Sequence, residues 1–220
     1  MRQKLETIYN SLFSYFGPRN WWQAKTPFEM IVGAILTQAV SWGNVQKAIK
    51  NLEEADLLTP EKLFQAEEER IEELIKPTRY FRMKTKKLKA FLNYLFTTHQ
   101  GDLTQMFNLP LLELREQLLS VYGIGRETVD SILLYVGNFP IFVVDEYTRR
   151  IFSRLGLLPE KISYEQMQEF FHTNLPPDTR LFNEFHAQID ALGNQICRPN
   201  PDCMHCPLAQ LCEKAQGSKI

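Results

Sequence analysis

All four cysteines of the chain lie close together near its C-terminus. They are Cys197, Cys203, Cys206 and Cys212, and the gaps between them hold five, two and five residues. Four thiolates in a short, proline-containing loop suit a [4Fe–4S] cluster, because each corner iron takes one cysteine. Zinc ribbons usually have two tight pairs with a longer loop between them, so zinc is an alternative, as are thiols without a metal. A disulfide framework is not expected, because such frameworks distribute cysteines over a small secreted chain.

A carboxylate follows a short apolar run in the segment 143-VVDEYTRRIFSRLG-156. Asp145 comes immediately before a predicted helix, where its ordinary role is an N-cap that contributes about 1 kcal/mol to stability. The same position also suits chemistry, because the helix dipole and the first backbone N–H groups keep a carboxylate ionised. Such a charge stabilises a cationic transition state or orients an attacking water molecule. Both roles are compatible with the same geometry.

Two glycines separate two predicted helices in the middle of the chain. One helix is predicted over 111–122, and the next begins near Arg126 within 121-VYGIGRETVDSILLY-135. Gly123 and Gly125 can adopt positive φ and let the backbone approach another surface closely. The N–H groups at the start of the second helix then favour an anion such as a phosphate. The hairpin is therefore a candidate for gripping a nucleic-acid backbone without reading its sequence, with an ordinary tight turn as the alternative.

The three tryptophans of the chain, Trp21, Trp22 and Trp42, all lie within 20-NWWQAKTPFEMIVGAILTQAVSW-42. Packing in the core is one explanation, because tryptophan side chains bury readily. The rings of two adjacent residues cannot both be buried in one direction, however, so one ring of the pair is expected to face a cleft. The three rings are therefore candidates for the walls of a pocket.

The charged residues are segregated along the chain. The formal net charge of −1 argues against a broadly basic nucleic-acid coat but leaves room for a local patch. Acidic residues dominate 53–73, and seven lysines and arginines follow within 76-KPTRYFRMKTKKLKA-90. This basic stretch is either a solvated helix face paired with its acidic neighbour or a phosphate-facing patch, helped in the second case by Tyr80 and Phe81.

Helices must position all of these residues. Apolar residues recur at helical spacing along the chain, whereas strand-like alternation is almost absent. Gly and Pro pairs such as Gly17-Pro18 and Pro176-Pro177 cut the chain into about ten helices. We therefore predict an all-α fold in one domain or two closely packed lobes. The N-terminus does not read as a signal peptide and no apolar run approaches about 18 residues, so a soluble, cytoplasmic protein is expected.

The order of these elements resembles the helix-hairpin-helix DNA glycosylase superfamily of endonuclease III. The resemblance rests on the G-I-G hairpin, the aspartate about twenty residues further on and the four-cysteine loop, and it extends to 36-LTQAVSW-42, 76-KPTRYFRMKTKKL-88 and 193-GNQIC-197. It implies a central helical lobe, 25–137, that ends in the helix-hairpin-helix, and a second lobe, 1–24 plus 138–220, that carries a [4Fe–4S] loop.

The same resemblance implies roles for individual residues. Asp145 would be catalytic, and Cys197, Cys203, Cys206 and Cys212 would be the cluster ligands. The partner would be double-stranded DNA with a damaged base, bound by a nucleoid-associated monomer through Gln38, Gly123, Gly125 and Arg126. The family usually has six residues between its first two cluster cysteines, whereas this chain has five, and Arg198 is the one basic residue of the loop.

Residue 127 departs from endonuclease III in a way that changes the expected chemistry. Endonuclease III carries a lysine immediately after the G-x-G-R segment, and this amine attacks the sugar. The chain has Glu127 there, and a carboxylate cannot form a Schiff base. The resemblance therefore implies a monofunctional glycosylase without the lyase step, in which Asp145 assists water.

The N-terminal aromatic segment indicates the substrate. The Trp pair, the L-T-Q segment with an aromatic residue beyond it, the K-P-x-x-x-F segment and the glutamate after the hairpin are similar to the MagIII-type 3-methyladenine glycosylases. In that group aromatic rings sandwich the flipped base, so Trp42 and either Trp21 or Trp22 would form the walls. The expected substrate is an alkylated purine of the 3-methyladenine or 7-methylguanine type.

Three other functions stay open at this point. An oxidised-pyrimidine glycosylase resembling endonuclease III is one, although Glu127 argues against its lyase step. An adenine mispair glycosylase is another, although such enzymes carry an additional recognition domain. A non-catalytic lesion-binding protein is the third, and the presence of Asp145 argues for catalysis instead.

Overall fold

The computed structural model describes residues 1–19 and 23–217, and in these ranges the chain forms helices and no strand. The α-helices are α1 (Arg2–Phe16), α2 (Pro27–Leu36), α3 (Trp42–Glu54), α4 (Pro60–Gln65), α5 (Glu68–Ile75), α6 (Phe81–His99), α7 (Leu103–Phe107), α8 (Leu111–Ser120), α9 (Arg126–Tyr135), α10 (Glu146–Arg154), α11 (Tyr164–Asn174), α12 (Thr179–Gln195) and α13 (Glu213–Gly217). Short 3-10 turns cover Lys76–Thr78, Cys203–His205 and Ala209–Leu211. The predicted all-α class is confirmed.

Two compact units divide the chain. One consists of Met1–Trp21 together with Pro140–Ile220, and the other is the continuous segment Trp22–Phe139. Within the described ranges, no helix combines the length and the apolar composition that crossing a membrane requires.

The unit Trp22–Phe139 is built around α2. This helix begins with Pro27, and its N-cap Thr26 accepts a hydrogen bond from the backbone N–H of Glu29. Every residue from Ile31 to Leu36 is buried, which is typical of a helix enclosed on all sides. Helices α3, α6 and α9 pack against it, and they contribute the apolar residues whose helical spacing the sequence shows.

The unit formed by Met1–Trp21 and Pro140–Ile220 has an aromatic core. Five fully buried phenylalanines, Phe142, Phe152, Phe171, Phe182 and Phe185, lie in this unit. The rings of Phe142 and Phe171 stack with their centroids 4.0 Å apart. Helix α12 packs against both α1 and α10 in the same unit.

The segment from Ile141 to Val144 is buried and leads directly into α10. Helix α11 holds its backbone: the N–H of Phe142 donates to His172 Nε2 at 2.8 Å, and Gln168 Nε2 donates to the Phe142 carbonyl at 2.8 Å. These side chains satisfy backbone groups that have no strand partner. The residue that follows this fixed segment is Asp145.

Candidate functional site

Asp145 is the N-cap of α10, as its sequence position predicts. Its Oδ1 accepts hydrogen bonds from the backbone N–H and the hydroxyl of Thr148, both at 2.7 Å. The Thr148 hydroxyl in turn accepts a bond from the Asp145 N–H at 3.3 Å, which completes a capping box. The cap therefore engages Oδ1 and fixes the orientation of the carboxylate, and Oδ2 takes no part in the capping box.

A histidine from α12 lies beside this second oxygen. His186 Nε2 is 3.7 Å from Asp145 Oδ2, and the Asp145 side chain is 13% exposed. Burial by itself would raise the pKa of Asp145, but His186 and the two bonds from Thr148 outweigh it and hold the pKa below its ordinary value. The carboxylate is therefore ionised at neutral pH. Asp190, one turn after His186 on α12, has a raised pKa because of its burial, and the charge of Asp145 adds to that shift.

The predicted helix-hairpin-helix is present as α8, a short turn and α9. Gly123 has φ +76°, a conformation that favours glycine, and a β-carbon there would lie 2.6 Å from Lys87 Cγ and would displace the lysine side chain. Gly125 differs from the expectation, because it has φ −90° as the N-cap of α9. A β-carbon on Gly125 would meet nothing within 4 Å. Of the two hairpin glycines, Gly123 therefore adopts the left-handed conformation and Gly125 does not, and the surface above Gly125 is open.

Gln38 connects the L-T-Q turn to the hairpin. Its Nε2 donates to Thr128 Oγ1 at 3.0 Å and to the carbonyl of Gly123 at 3.3 Å. Lys87 Nζ donates to Gln38 Oε1 from the other side. The structure thus brings Gln38 and Gly123, both predicted DNA contacts, together, and it places Lys87 and Thr128 against Gln38. The basic stretch 76–90 was the signal that could have identified Lys87.

Three of the five lysines of that stretch, Lys84, Lys87 and Lys89, donate to other groups of the protein, and Lys76 and Lys86 are exposed. Lys84 is buried, and its Nζ donates to the carbonyls of Leu36 at 2.8 Å and Thr78 at 2.7 Å. Burial lowers the pKa of Lys84 to about 8, and nearby Lys87 adds to the shift. Arg82 is exposed and lies 3.5 Å from Glu72, so it does pair with the acidic neighbour.

Trp42 is the first residue of α3 and is 39% exposed, so it is not a core residue. Trp21 and Trp22, which were predicted to share the pocket with Trp42, lie outside the described residues. Arg126 and Glu127 are both exposed in the first turn of α9, at the open end of the hairpin. Position 127 carries a carboxylate and not an amine.

The four cysteines line one recess beside α10 and α12. Cys197 lies just after α12, Cys203 is the first residue of a 3-10 turn, Cys206 follows that turn, and Cys212 precedes α13. The same recess is lined by Arg154, Ile196, Pro201, Asp202, Lys214 and Ala215. Burial raises the pKa of the Cys206 thiol to about 11, and the other three cysteines add to the shift.

The donor set of the recess fits an iron–sulfur cluster. Four sulfurs are the ligands that such a cluster takes, and the charged side chains that also line the recess, Arg154, Lys214 and Asp202, leave a positive balance that suits a thiolate-ligated cluster. Within the described ranges, no three His, Cys, Asp or Glu side chains are grouped so that they could hold a single metal ion.

Comparison with known proteins places the chain in a family. Residues 32–177 match the HhH-GPD superfamily of base excision DNA repair proteins. A protein of Methanocaldococcus jannaschii that is provisionally named a DNA repair glycosylase is 42% identical over 207 residues, which cover 93% of this chain and 94% of that protein. Endonuclease III of Thermotoga maritima is 31% identical over 198 residues, which cover 89% of this chain and 86% of the enzyme.

Solved structures share the fold of this chain. An endonuclease III trapped as a covalent intermediate with DNA has a TM-score of 0.86 at 21% identity, with 100% of this chain and 99% of that chain covered. The H. pylori 3-methyladenine DNA glycosylase MagIII bound to ethenoadenine has a TM-score of 0.74 at 25% identity, with 88% and 95% covered. Because the family match covers most of the chain, the protein belongs to the HhH-GPD superfamily of base excision DNA repair proteins, as a DNA glycosylase.

Proposed function

We propose that the protein is a monofunctional DNA glycosylase that hydrolyses the N-glycosidic bond of a flipped alkylated purine, of the 3-methyladenine or 7-methylguanine type. The observation that carries this proposal is the ionised, oriented carboxylate of Asp145 in a chain that has Glu127 where an amine nucleophile would be needed. The likeness to MagIII at 25% identity supports the alkylated-purine substrate.

The chemistry follows from the charge of the substrate. A purine alkylated at N3 or N7 is cationic, so it leaves as a neutral base with the electron pair of the C1′–N bond and needs no strong general acid. The sugar then carries oxocarbenium charge, which Asp145 Oδ2 offsets. The same oxygen directs a water molecule to C1′ and takes its proton, and a hydroxyl remains on the sugar.

Aromatic rings are proposed to recognise the damaged base. We propose that Trp42 and either Trp21 or Trp22 sandwich the flipped base. Cation–π attraction contributes about 0.5 to 2 kcal/mol per ring for a cationic base, and a neutral normal base lacks this term. A damaged base also costs less to unstack from the duplex than a normal one, which adds to the discrimination.

The proposed role of the hairpin is to bind the DNA backbone. We propose that Gly123, Gly125 and Arg126 hold a phosphate, since the open surface above Gly125 leaves room for a strand and the start of α9 attracts an anion. Gln38, which already contacts the hairpin, would lie at the gap left by the flipped base. The partner is double-stranded DNA with a damaged base, and a cytoplasmic, nucleoid-associated monomer is proposed to bind it.

An endonuclease III-like activity on oxidised pyrimidines is the second candidate. The identity of 31% to the endonuclease III of Thermotoga maritima, over most of both chains, favours it. Glu127 argues against its lyase step, because a carboxylate cannot form a Schiff base with the sugar.

Base release from methylated duplex DNA distinguishes the two candidates. We expect free 3-methyladenine or 7-methylguanine by chromatography, no strand nicking, and no protein–DNA adduct after borohydride treatment. Undamaged duplex and the Glu127→Lys variant are the controls, because the variant supplies an amine at the position where endonuclease III has one. A parallel assay uses duplex DNA that contains thymine glycol, and release of this oxidised pyrimidine without release of an alkylated purine would favour the second candidate. A trapped adduct with the unaltered protein would show that another amine acts on the sugar.

The proposed role of the cysteine recess is to bind an iron–sulfur cofactor. We propose that Cys197, Cys203, Cys206 and Cys212 hold a [4Fe–4S] cluster, whose chemistry is to cross-link this loop and, when it changes oxidation state, to accept or release one electron. We expect the purified protein to be brown and to contain about four iron and four sulfide ions per chain. Cys206→Ser should lose most of this iron. A colourless protein with about one zinc ion per chain would overturn the assignment.

A further inference from the structure

We propose that Arg154, the last residue of α10, is a positioning residue for the cluster: it shapes the loop after Cys197 and raises the reduction potential of the bound group. The inference rests on the cluster assignment made above. Arg154 is the residue that joins the catalytic helix, which Asp145 caps, to the sulfur of a cysteine.

The guanidinium of Arg154 is surrounded by acceptors from the cysteine loop. Its Nη1 donates to Cys197 Sγ at 3.3 Å and to the Arg198 carbonyl at 2.7 Å, and its Nη2 donates to the Pro199 carbonyl at 2.9 Å. The backbone carbonyl of Arg154 lies 3.3 Å from Cys212 Sγ. One residue thus contacts both the first and the last cysteine of the set.

These contacts determine the shape of the five-residue gap between the first two cysteines. Consecutive carbonyls at Arg198 and Pro199 turn toward the guanidinium, and the N–H of Asp202 closes the loop by donating to the Ile196 carbonyl at 3.0 Å. A planar guanidinium offers five donors in a fixed arrangement, whereas a lysine ammonium concentrates its charge at one point. Arginine is therefore the side chain that can bond the sulfur and the carbonyls at once.

The contact with sulfur has a consequence for electron transfer. Reduction adds negative charge to a cluster and its thiolates, so a cationic donor to a ligand sulfur stabilises the reduced form more than the oxidised form. Loss of the donor should therefore lower the reduction potential. A tenfold loss in the one-electron reduction equilibrium corresponds to about 59 mV, and we expect a shift of this order for Arg154→Gln.

Of the two other arginines of α10, Arg149 provides a matched control and Arg150 does not. Arg150 Nε donates to the carbonyl of Cys197 at 2.8 Å, so it also contributes to the loop. Arg149 points elsewhere: its Nε donates to Glu146 Oε2 at 3.0 Å and its Nη1 to the Glu160 carbonyl at 3.0 Å. Arg149→Gln removes the same charge from the same helix without touching the cysteine loop.

The experiment compares the unaltered full-length protein with Arg154→Gln, Arg154→Lys and Arg149→Gln. Iron content, the midpoint potential by spectroelectrochemistry and the rate of iron loss to a chelator are measured for each. We expect the potential to fall in the order unaltered protein, Arg154→Lys, Arg154→Gln, with several-fold faster iron loss in both Arg154 variants and none of these changes in Arg149→Gln. The two Arg154 variants could also lose their iron altogether while they keep their helicity and Arg149→Gln keeps its iron. This result would support the role of Arg154 in shaping the loop after Cys197.

Two results would overturn the inference, and they differ from a failure of the cluster assignment. Equal potentials and equal rates of iron loss in all four proteins would remove the role of Arg154 while the cluster remains. An equal fall in Arg149→Gln and Arg154→Gln would show a general charge effect instead of a contact with sulfur. Absence of iron from the unaltered protein would reject the cluster, and the inference with it.

Discussion

Asp145→Asn is expected to lower the rate of base release about 10³-fold while the affinity for damaged duplex is retained. Asparagine is as good an N-cap as aspartate, and its amide oxygen can accept the same bond from the Thr148 N–H that Asp145 Oδ1 accepts at 2.7 Å. The helix and the orientation of the side chain should therefore persist. What the variant lacks is the negative charge that offsets the oxocarbenium ion. Single-turnover release of 3-methyladenine, with DNA binding measured in parallel, tests this expectation.

Asp178→Asn is the matched control for that variant. Asp178 is also an N-cap aspartate in the same unit, and its Oδ1 accepts from the N–H of Arg180 at 2.8 Å and of Leu181 at 3.1 Å. We expect full activity and a stability change of less than about 1 kcal/mol. Full activity in Asp145→Asn as well would show that the carboxylate is only a helix cap and would end the proposed mechanism.

The lowered pKa of Asp145 adds a dependence on pH. A carboxyl whose pKa is lower in the folded than in the unfolded state contributes stability above the unfolded value, about 3.9, and loses it as the pH falls through the folded value. The stability difference between the unaltered protein and Asp145→Asn should therefore shrink below about pH 4. The base release that depends on ionised Asp145 should likewise persist as the pH falls to about 4.

Trp42→Ala is expected to lower kcat/KM for excision of an alkylated purine by ten- to a hundredfold. Stacking of a base on an aromatic ring is worth about 1 to 3 kcal/mol, and a cationic base adds attraction to the ring face. The partial exposure of Trp42, 39%, means that its removal leaves no large cavity in the core. The loss should therefore appear in excision and not in the thermal unfolding of the protein, which differential scanning fluorimetry can monitor.

The control for Trp42 is another exposed aromatic residue. Tyr15 on α1 is 52% exposed, and Tyr15→Ala should leave excision unchanged. Trp42→Phe should recover most of the activity, because phenylalanine keeps a ring face for the base. Unchanged excision by Trp42→Ala would remove this residue from the base pocket and would weaken the alkylated-purine proposal.

Local patterns in the sequence determine much of this protein. Helical spacing predicts the all-α class, and the start of α9 at Arg126 agrees with the residue at which the sequence places it. The N-cap position of Asp145 follows in the same way, since a capping box depends only on Asp145 and on Thr148, three residues later. A cap of this kind is set by interactions within a few residues, so the sequence alone predicts it, whereas the helix predicted over 111–122 ends at Ser120 in the structure.

Contacts between residues distant in the chain depend on the tertiary structure. Gln38 contacts Lys87 and Thr128, which are 49 and 90 positions away, and Lys84 is buried against the carbonyl of Leu36, 48 positions away. His186 beside Asp145 and Arg154 on the sulfur of Cys197 are of the same kind. The basic stretch shows the difference: its charge is visible in the sequence, but packing of α6 decides which lysines turn inward. Side chains that meet in this way obey no spacing rule, because their separation is set by how the helices pack.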